Sequence, residues 1–192
     1  MPADDDLAAA LADAWDRLDR AAGARRRTLG RVALATLNGR GGPALRTVIL
    51  RSVDPAARRL EIHTDLRSVK VAEIRADPAA ALLLYDPGEE VQVRAEGRAE
   101  MLPPGPELDA AWTATPGPVR AAYRMPGPPG TPIADPALPP PSTGWTEEGR
   151  ENFAAIVLTV DRIDWVRLVP GADRRAAFDW TGGGLQASWL IP

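Results

Sequence analysis

LEIHTDLRSVK, residues 60–70, reads as the end of a β-strand handing over to a helix, and it holds both the only histidine, His63, and the only lysine, Lys70. Every other cation among the 23 basic residues is arginine, so a composition that writes Arg wherever a positive charge will do has written Lys here. Arginine presents a broad planar fork, whereas lysine delivers a compact point charge on a flexible stem. That form suits a phosphate oxygen in a tight pocket.

Upstream, the runs RVALATL (31–37), ALRTVIL (44–50) and RRLEIHT (58–64) are β-like, and the turn signals NGRGGP and DPAA between them predict a meander of hairpins. Downstream, a helix is predicted from about Ser68 to Ala76, capped by Ser68 or Asp65 and stopped by Pro78, because the residue before a proline is pushed out of helical geometry. ALLLY (81–85) and EVQVRAEGRAEM (90–101) follow as strands hinged at Asp86, Pro87 and Gly88. At the N-terminus Leu7, Leu11, Trp15 and Leu18 recur at helical spacing, with Asp4, Asp5 and Asp6 where a helix start favours negative charge and a basic turn at Arg25–Arg27 after it.

Residues 103–143 hold 13 of the 20 prolines, densest in PGPPGTPIADPALPPPS. Composition alone suggests a tether or a polyproline ligand. Strand-like sequence resumes beyond it in FAAIVLTVDRIDWVRL (153–168), ADRRAAFDW and LQASWLI, which favours an irregular cover over about 103–145 within one domain spanning 1–192. Strand-rich sequence with one central helix and helices at the edges predicts an antiparallel sheet closed into a small barrel.

The net charge of −3 provides no general field for nucleic acid or an anionic membrane, so an anion site has to be local. With no cysteine, disulfides, thiolate metal sites and cysteine nucleophiles are excluded. The acidic start lacks a signal-peptide pattern and no run of about 18 apolar residues occurs, so the cytoplasm is expected. A Ser-His-Asp triad would have to be built on His63, and neither a nucleophile-elbow pattern, a paired-histidine zinc motif, a Walker loop nor GxGxxG is present. The GGG at 182–184 reads as a hairpin turn.

Positive signals lie at strand ends. Arg46 and Arg51 flank one strand five positions apart, on opposite faces unless a bulge turns one of them. Thr64, Ser68 and Lys70 cluster where free backbone N–H groups and the helix dipole favour an anion. Gln92 lies on a strand between Val91 and Val93 and offers both a donor and an acceptor to a heterocycle edge. Each signal has a plain structural alternative: solvated strand ends, a helix cap, a solvent-facing amide.

Three pieces in register, R-T-V-I-L-R (46–51), H-T-D-L-R-S-x-K (63–70) and L-L-L-Y-D-P-x-x-x-x-Q-V-R-x-E-G-x-A (82–99), resemble the flavin-binding core of the pyridoxamine 5'-phosphate oxidase family. The likeness covers about residues 30–101 well and 153–192 more weakly. It implies a mainly β, six-stranded antiparallel split β-barrel of Greek-key type with flanking helices, binding FMN at the interface of a homodimer. By the same resemblance Arg46, Thr47, Val48, Ile49 and Arg51 run along the flavin. His63 and Thr64 stand for an aromatic-Thr pair, Arg67, Ser68 and Lys70 meet the phosphate, Gln92 contacts the flavin, and Trp165 and Arg175 come from the partner chain.

Departures are equally specific. The family's Ser-Arg-Lys is Ser68-Val69-Lys70 here, leaving Arg67 or Arg51 to compensate, and its Gln-Ser flavin contact gives way to the stretch around MPGPPG. The Arg-x-His that grips the substrate phosphate falls on Gly171 and Asp173. The chain thus resembles an FMN-binding branch distinct from the true oxidase. The expectation is an FMN-dependent oxidoreductase with a small-molecule substrate or an electron donor and no nucleic-acid or membrane partner. A flavin- or haem-binding module without turnover, or a deazaflavin-dependent reductase, is the alternative. No residue stands out as a proton donor to a substrate, and no metal site is expected.

Overall fold

The computed structural model describes residues 3–23, 30–133 and 147–192. The basic turn at Arg25–Arg27, the side chains of Asp4 and Asp5, and the later part of the proline-rich stretch lie outside the described residues.

Helix α1 (Ala3–Gly23) is followed by strands β1 (Arg31–Leu37), β2 (Pro43–Asp54) and β3 (Arg59–Asp65), helix α2 (Val69–Ala76), and strands β4 (Ala79–Asp86) and β5 (Val91–Met101). Helices α3 (Pro106–Ala114) and α4 (Gly117–Arg120) come next, then β6 (Phe153–Arg167), β7 (Arg174–Asp179) and β8 (Gln186–Leu190). The strands pair antiparallel in the order β3-β2-β1-β4-β5-β6-β7-β8, and a further β3–β6 pairing closes the first six into a barrel. The expected six-stranded antiparallel barrel with flanking helices is the observed architecture, with β7 and β8 extending the sheet beyond it.

The split has a local cause. β6 pairs with β3 from Phe153 to Thr159 and with β7 from Arg162 onward, and the change-over coincides with a register shift against β5 at Glu96/Gly97. A Cβ on Gly97 would lie 1.9 Å from the Thr159 carbonyl oxygen, so this close approach admits only glycine.

Period-two burial builds the interior from Val32, Leu34, Leu60, Ile62, Leu82, Leu84, Val93 and Ala95. The run FAAIVL (153–158) does not alternate, because both of its faces are covered. Ile156 and Leu158 face the barrel core. Phe153, Ala155 and Val157 meet a second cluster formed by Leu102, Leu108, Ala111, Trp112 and Tyr123. Two short helices therefore stand where proline content suggested irregular backbone, and they cover the outside of the barrel.

Arg120 fixes this cover. It is fully buried, donates to the carbonyls of Trp112, Thr113 and Thr115 at the C-terminal end of α3, and lies 4.3 Å above the Trp112 ring. A cation at a helix C-terminus satisfies carbonyls that the helix itself leaves open. On another side of the barrel, α1 buries Ala14, Leu18 and Ala21 against the core, as its helical spacing predicts.

Candidate functional site

The handover from β3 to α2 brings Thr64, Ser68 and Lys70 together. Lys70 Nζ donates to Thr64 Oγ1 at 2.9 Å, and Thr64 Oγ1 lies 3.2 Å from Ser68 Oγ. Ser68 occupies the N-cap position of α2, but its hydroxyl makes no cap bond. Asp65 does not cap either: its carboxylate binds the backbone N–H and guanidinium of Arg67. The expected cap is thus not made, and the hydroxyl turns to the Thr64–Lys70 cluster instead.

Arg46 reaches the same end of the barrel from β2. Its two terminal nitrogens donate to Thr36 Oγ1 and, at 2.6 Å, to Glu73 Oε2, while the Thr36 hydroxyl donates to that same Glu73 oxygen at 2.6 Å. Lys70 forms no ion pair among the described residues, whereas Arg46 and Arg67 are each held by a carboxylate. Burial, and then the nearby Arg46 charge, push the Lys70 ammonium below its ordinary pKa of 10.5, with Asp65 and Glu73 acting in the opposite direction. Two cations crowded around two hydroxyls and an uncapped helix start form a donor set that a phosphate dianion completes.

Arg51 goes elsewhere. A register shift between Leu50 and Ser52 makes it the extra residue of a bulge, the feature needed to turn one of the two arginines. The bulge does not unite them. Arg51 lines a cavity of about 190 Å³ with Ser52, Glu61, His63 and Thr115, under the end of α3. There His63 meets Glu61 Oε1 through Nε2 at 2.8 Å and Thr115 Oγ1 through Nδ1 at 3.1 Å, and its ring packs edge-on against Phe153. Nearby, burial pushes the Tyr123 phenol up to about 12, against the pull of the Arg51 charge. On β2 itself Val48 packs on the core, Ile49 is half-buried and Thr47 is exposed.

Gln92 and Arg175 are brought together on a different surface. Gln92 is opposite Val166, and Val166 opposite Arg175, so the three form one outward-facing row across β5, β6 and β7 that continues to the exposed Tyr85 and Leu190. One step along, Asp164 binds Arg175 at 2.7 Å and Arg94 at 3.1 Å. Trp165 faces the opposite way. It is 4% exposed, and its Nε1 donates to Asp13 Oδ2 of α1 at 2.7 Å. On β6 the partner of Gln92, Val166, lies twelve residues beyond Ala154, the partner of Thr64. That is about 40 Å of strand contour, so the two residue sets lie toward opposite ends of β6.

Residues 12–103 match the profile of the pyridoxamine 5'-phosphate oxidase FMN-binding domain. Over these residues, just under half of its length, the chain is similar to the pyridoxamine 5'-phosphate oxidase-like FMN-binding family. A pyridoxine/pyridoxamine 5'-phosphate oxidase of Anaeromyxobacter dehalogenans is 40% identical over 101 residues, covering 53% of this chain and 50% of that protein. Its namesake 2 of Arabidopsis thaliana is 37% identical over 71 residues, 37% of this chain and 36% of the relative. The chain thus matches half or less of the length of these curated relatives. A pyridoxamine 5'-phosphate oxidase-related, FMN-binding protein of Nostoc punctiforme superposes with a TM-score of 0.75 at 23% identity, covering 96% of both chains. PhzG of Burkholderia lata, solved with tetrahydrophenazine-1-carboxylic acid, gives a TM-score of 0.70 at 22% identity, covering 90% of this chain and 87% of the other. These two likenesses are of fold.

The family's domain binds FMN, and the α2 end meets the chemical demands of that cofactor's terminal phosphate. The matched segment contains Arg46, Arg51, Lys70 and Gln92 but stops before Trp165 and Arg175. Thr36, Glu73 and Asp164 were not singled out from the sequence. The available signal was Glu73, an acidic residue between Val71 and Ile74 on the buried face of α2.

Proposed function

We propose that the chain is an FMN-dependent oxidoreductase acting on a small molecule other than pyridoxamine or pyridoxine 5'-phosphate, and that it works as a homodimer. The observation that carries the cofactor assignment is Lys70, half-buried, without a carboxylate partner among the described residues and held by Thr64 beside Ser68. In this reading Lys70, Ser68, Thr64 and Arg46 hold the phosphate, and the outer face of β2, with Thr47 and Ile49, runs along the ring system. Arg67 steadies the handover loop through Asp65 and the Met125 carbonyl rather than meeting the phosphate directly. Bound FMN supplies hydride or electron transfer, and the protein supplies position and electrostatics.

The dimer is supported by the separation of the two residue sets. In this reading Gln92 and Arg175, at the other end of β6 from the Thr64 partner, are presented to the flavin by a second chain. Light scattering is expected to give twice the chain mass of 20.5 kDa. A monomer with FMN bound would overturn the assignment.

The substrate exclusion rests on the β6–β7 turn. Gly171 sits there with φ +79° and no side chain, and Asp173 is exposed and would repel a phosphate dianion. Arg174, the neighbour that could replace the missing clamp, lies 4.4 Å from the Trp189 ring and 3.6 Å from Asp6. The purified protein is expected to show a flavin spectrum, and in an oxygen electrode to stay well below about one turnover per second with pyridoxamine 5'-phosphate, a modest rate for an enzyme. A colourless protein indifferent to added FMN would remove the cofactor assignment. Turnover at that rate would restore the oxidase activity.

A further inference from the structure

Glu73 has no role in the flavin site described so far, yet it is 6% exposed on the barrel-facing side of α2, between Val71 and Ile74, where an apolar residue would pack. A carboxylate in such a place is costly unless paired and hydrogen-bonded. Here it is both. Glu73 Oε2 accepts from Thr36 Oγ1 and from Arg46, each at 2.6 Å, and Arg46 also donates to Thr36, so the three side chains form a closed triangle. One hydrogen on each terminal nitrogen of Arg46 is used in this way. The Nε–H and a second hydrogen on each terminal nitrogen stay available to another acceptor.

Lys70 lies three positions before Glu73 on α2, on neighbouring turns of one helix face. The triangle therefore fixes the Arg46 fork relative to the Lys70 ammonium, which Thr64 holds in turn. Without Glu73 the long Arg46 side chain would have to be ordered at the moment of binding, and two cations would face each other with less compensation.

Building on the FMN reading, we propose that Glu73 is a positioning residue for the phosphate: it holds Arg46, through Thr36, in the orientation from which Arg46 and Lys70 grip a phosphate monoester together. It acts on the phosphate end only and touches neither the ring system nor the reacting atoms.

FMN and riboflavin, which lacks the phosphate, are titrated into the wild type, Lys70→Ala, Glu73→Gln, Arg46→Lys and the Glu73→Gln/Arg46→Lys double variant, with thermal melting as a check of the fold. Glu73→Gln is expected to weaken FMN about tenfold, the scale of one charge-assisted bond, while riboflavin stays within about twofold. Arg46→Lys should give a similar loss. The double variant should lose little more than either single, because residues acting through one network are non-additive. If Glu73→Gln fails to fold, Thr36→Val is expected to give the same phosphate-specific loss. An unchanged FMN-to-riboflavin ratio in Glu73→Gln, equal loss of both flavins, or an additive double variant overturns the proposal and leaves Glu73 a structural residue. If wild type and Lys70→Ala bind FMN alike, the cofactor reading falls and takes this proposal with it.

Discussion

The α2 end of the barrel and the outer row on β5–β7 both concentrate arginines, but they treat charge differently. On the outer row Asp164 binds Arg94 and Arg175 and Glu96 pairs with Arg94, two carboxylates for two guanidiniums, so the surface is internally neutralised. At the α2 end Glu73 and Asp65 each hold one guanidinium, and Lys70 is left over, half-buried on a threonine hydroxyl. An exposed pair contributes little either way. A half-buried cation with its hydroxyls already gathered is prepared for an anion, because the cost of ordering and partly dehydrating it has been met during folding. The α2 end thus gathers a cation without a carboxylate partner, and its hydroxyls, within one chain, whereas the outer row offers no such cation among the described residues.

The strongest way to break this contrast is to remove the unpaired charge. Lys70→Ala is expected to weaken FMN by one to two orders of magnitude, from the loss of about 1.5–3 kcal/mol of charge-assisted bonding. Arg175→Ala should cost less than about tenfold, since Asp164 already occupies its guanidinium. Comparable losses in the two titrations would erase the distinction between the ends.

A pH series sharpens it. In the free protein the Lys70 pKa is depressed below 10.5, by burial first and by Arg46 second. The neutral amine is thereby favoured, and a bound dianion favours the charged form. FMN affinity is therefore expected to fall as pH rises through the depressed pKa, with onset below 10.5, and the bound state should hold the proton to higher pH. Replacing Lys70 with arginine should remove most of that dependence, because guanidinium does not titrate in this range. A fluorescence titration in which wild type and Lys70→Arg fall together with pH would place the titrating group elsewhere.

The smallest expected effect is at Asp164. Asp164→Asn removes the carboxylate from Arg175 while Arg94 keeps Glu96, and should leave the FMN-to-riboflavin ratio nearly unchanged. A clear change in that ratio would show that the outer row acts on the phosphate end.

Particular residues show how far sequence reasoning reached. The hairpins, α1, α2 and the closing strands follow from period-two and helical spacing together with Gly and Pro punctuation, which are local properties of the chain. The Thr64–Ser68–Lys70 cluster was equally legible, because all three lie within seven residues around one handover. Arg46 was less so. Its partner Glu73 is 27 residues away, and no local pattern ties a strand arginine to a helix glutamate. Trp165 and Arg175 were paired by the family resemblance, yet strand alternation turns Trp165 to Asp13 and leaves Arg175 on the outside with Gln92.

By itself, then, the sequence determined which segments are strands, where α2 begins to within one residue, and that Thr64, Ser68 and Lys70 cluster beside it, because each depends on neighbours in the chain. Only the tertiary structure decided which carboxylate holds which cation. Barrel closure by the β3–β6 pairing sets the end at which Arg46, Thr36, Glu73 and Lys70 meet, and the Leu50/Ser52 bulge sends Arg51 to His63 instead. The physical reason is range: secondary structure is set by interactions over a few residues, whereas the balance of charge in a buried site is set by whatever the fold places around it.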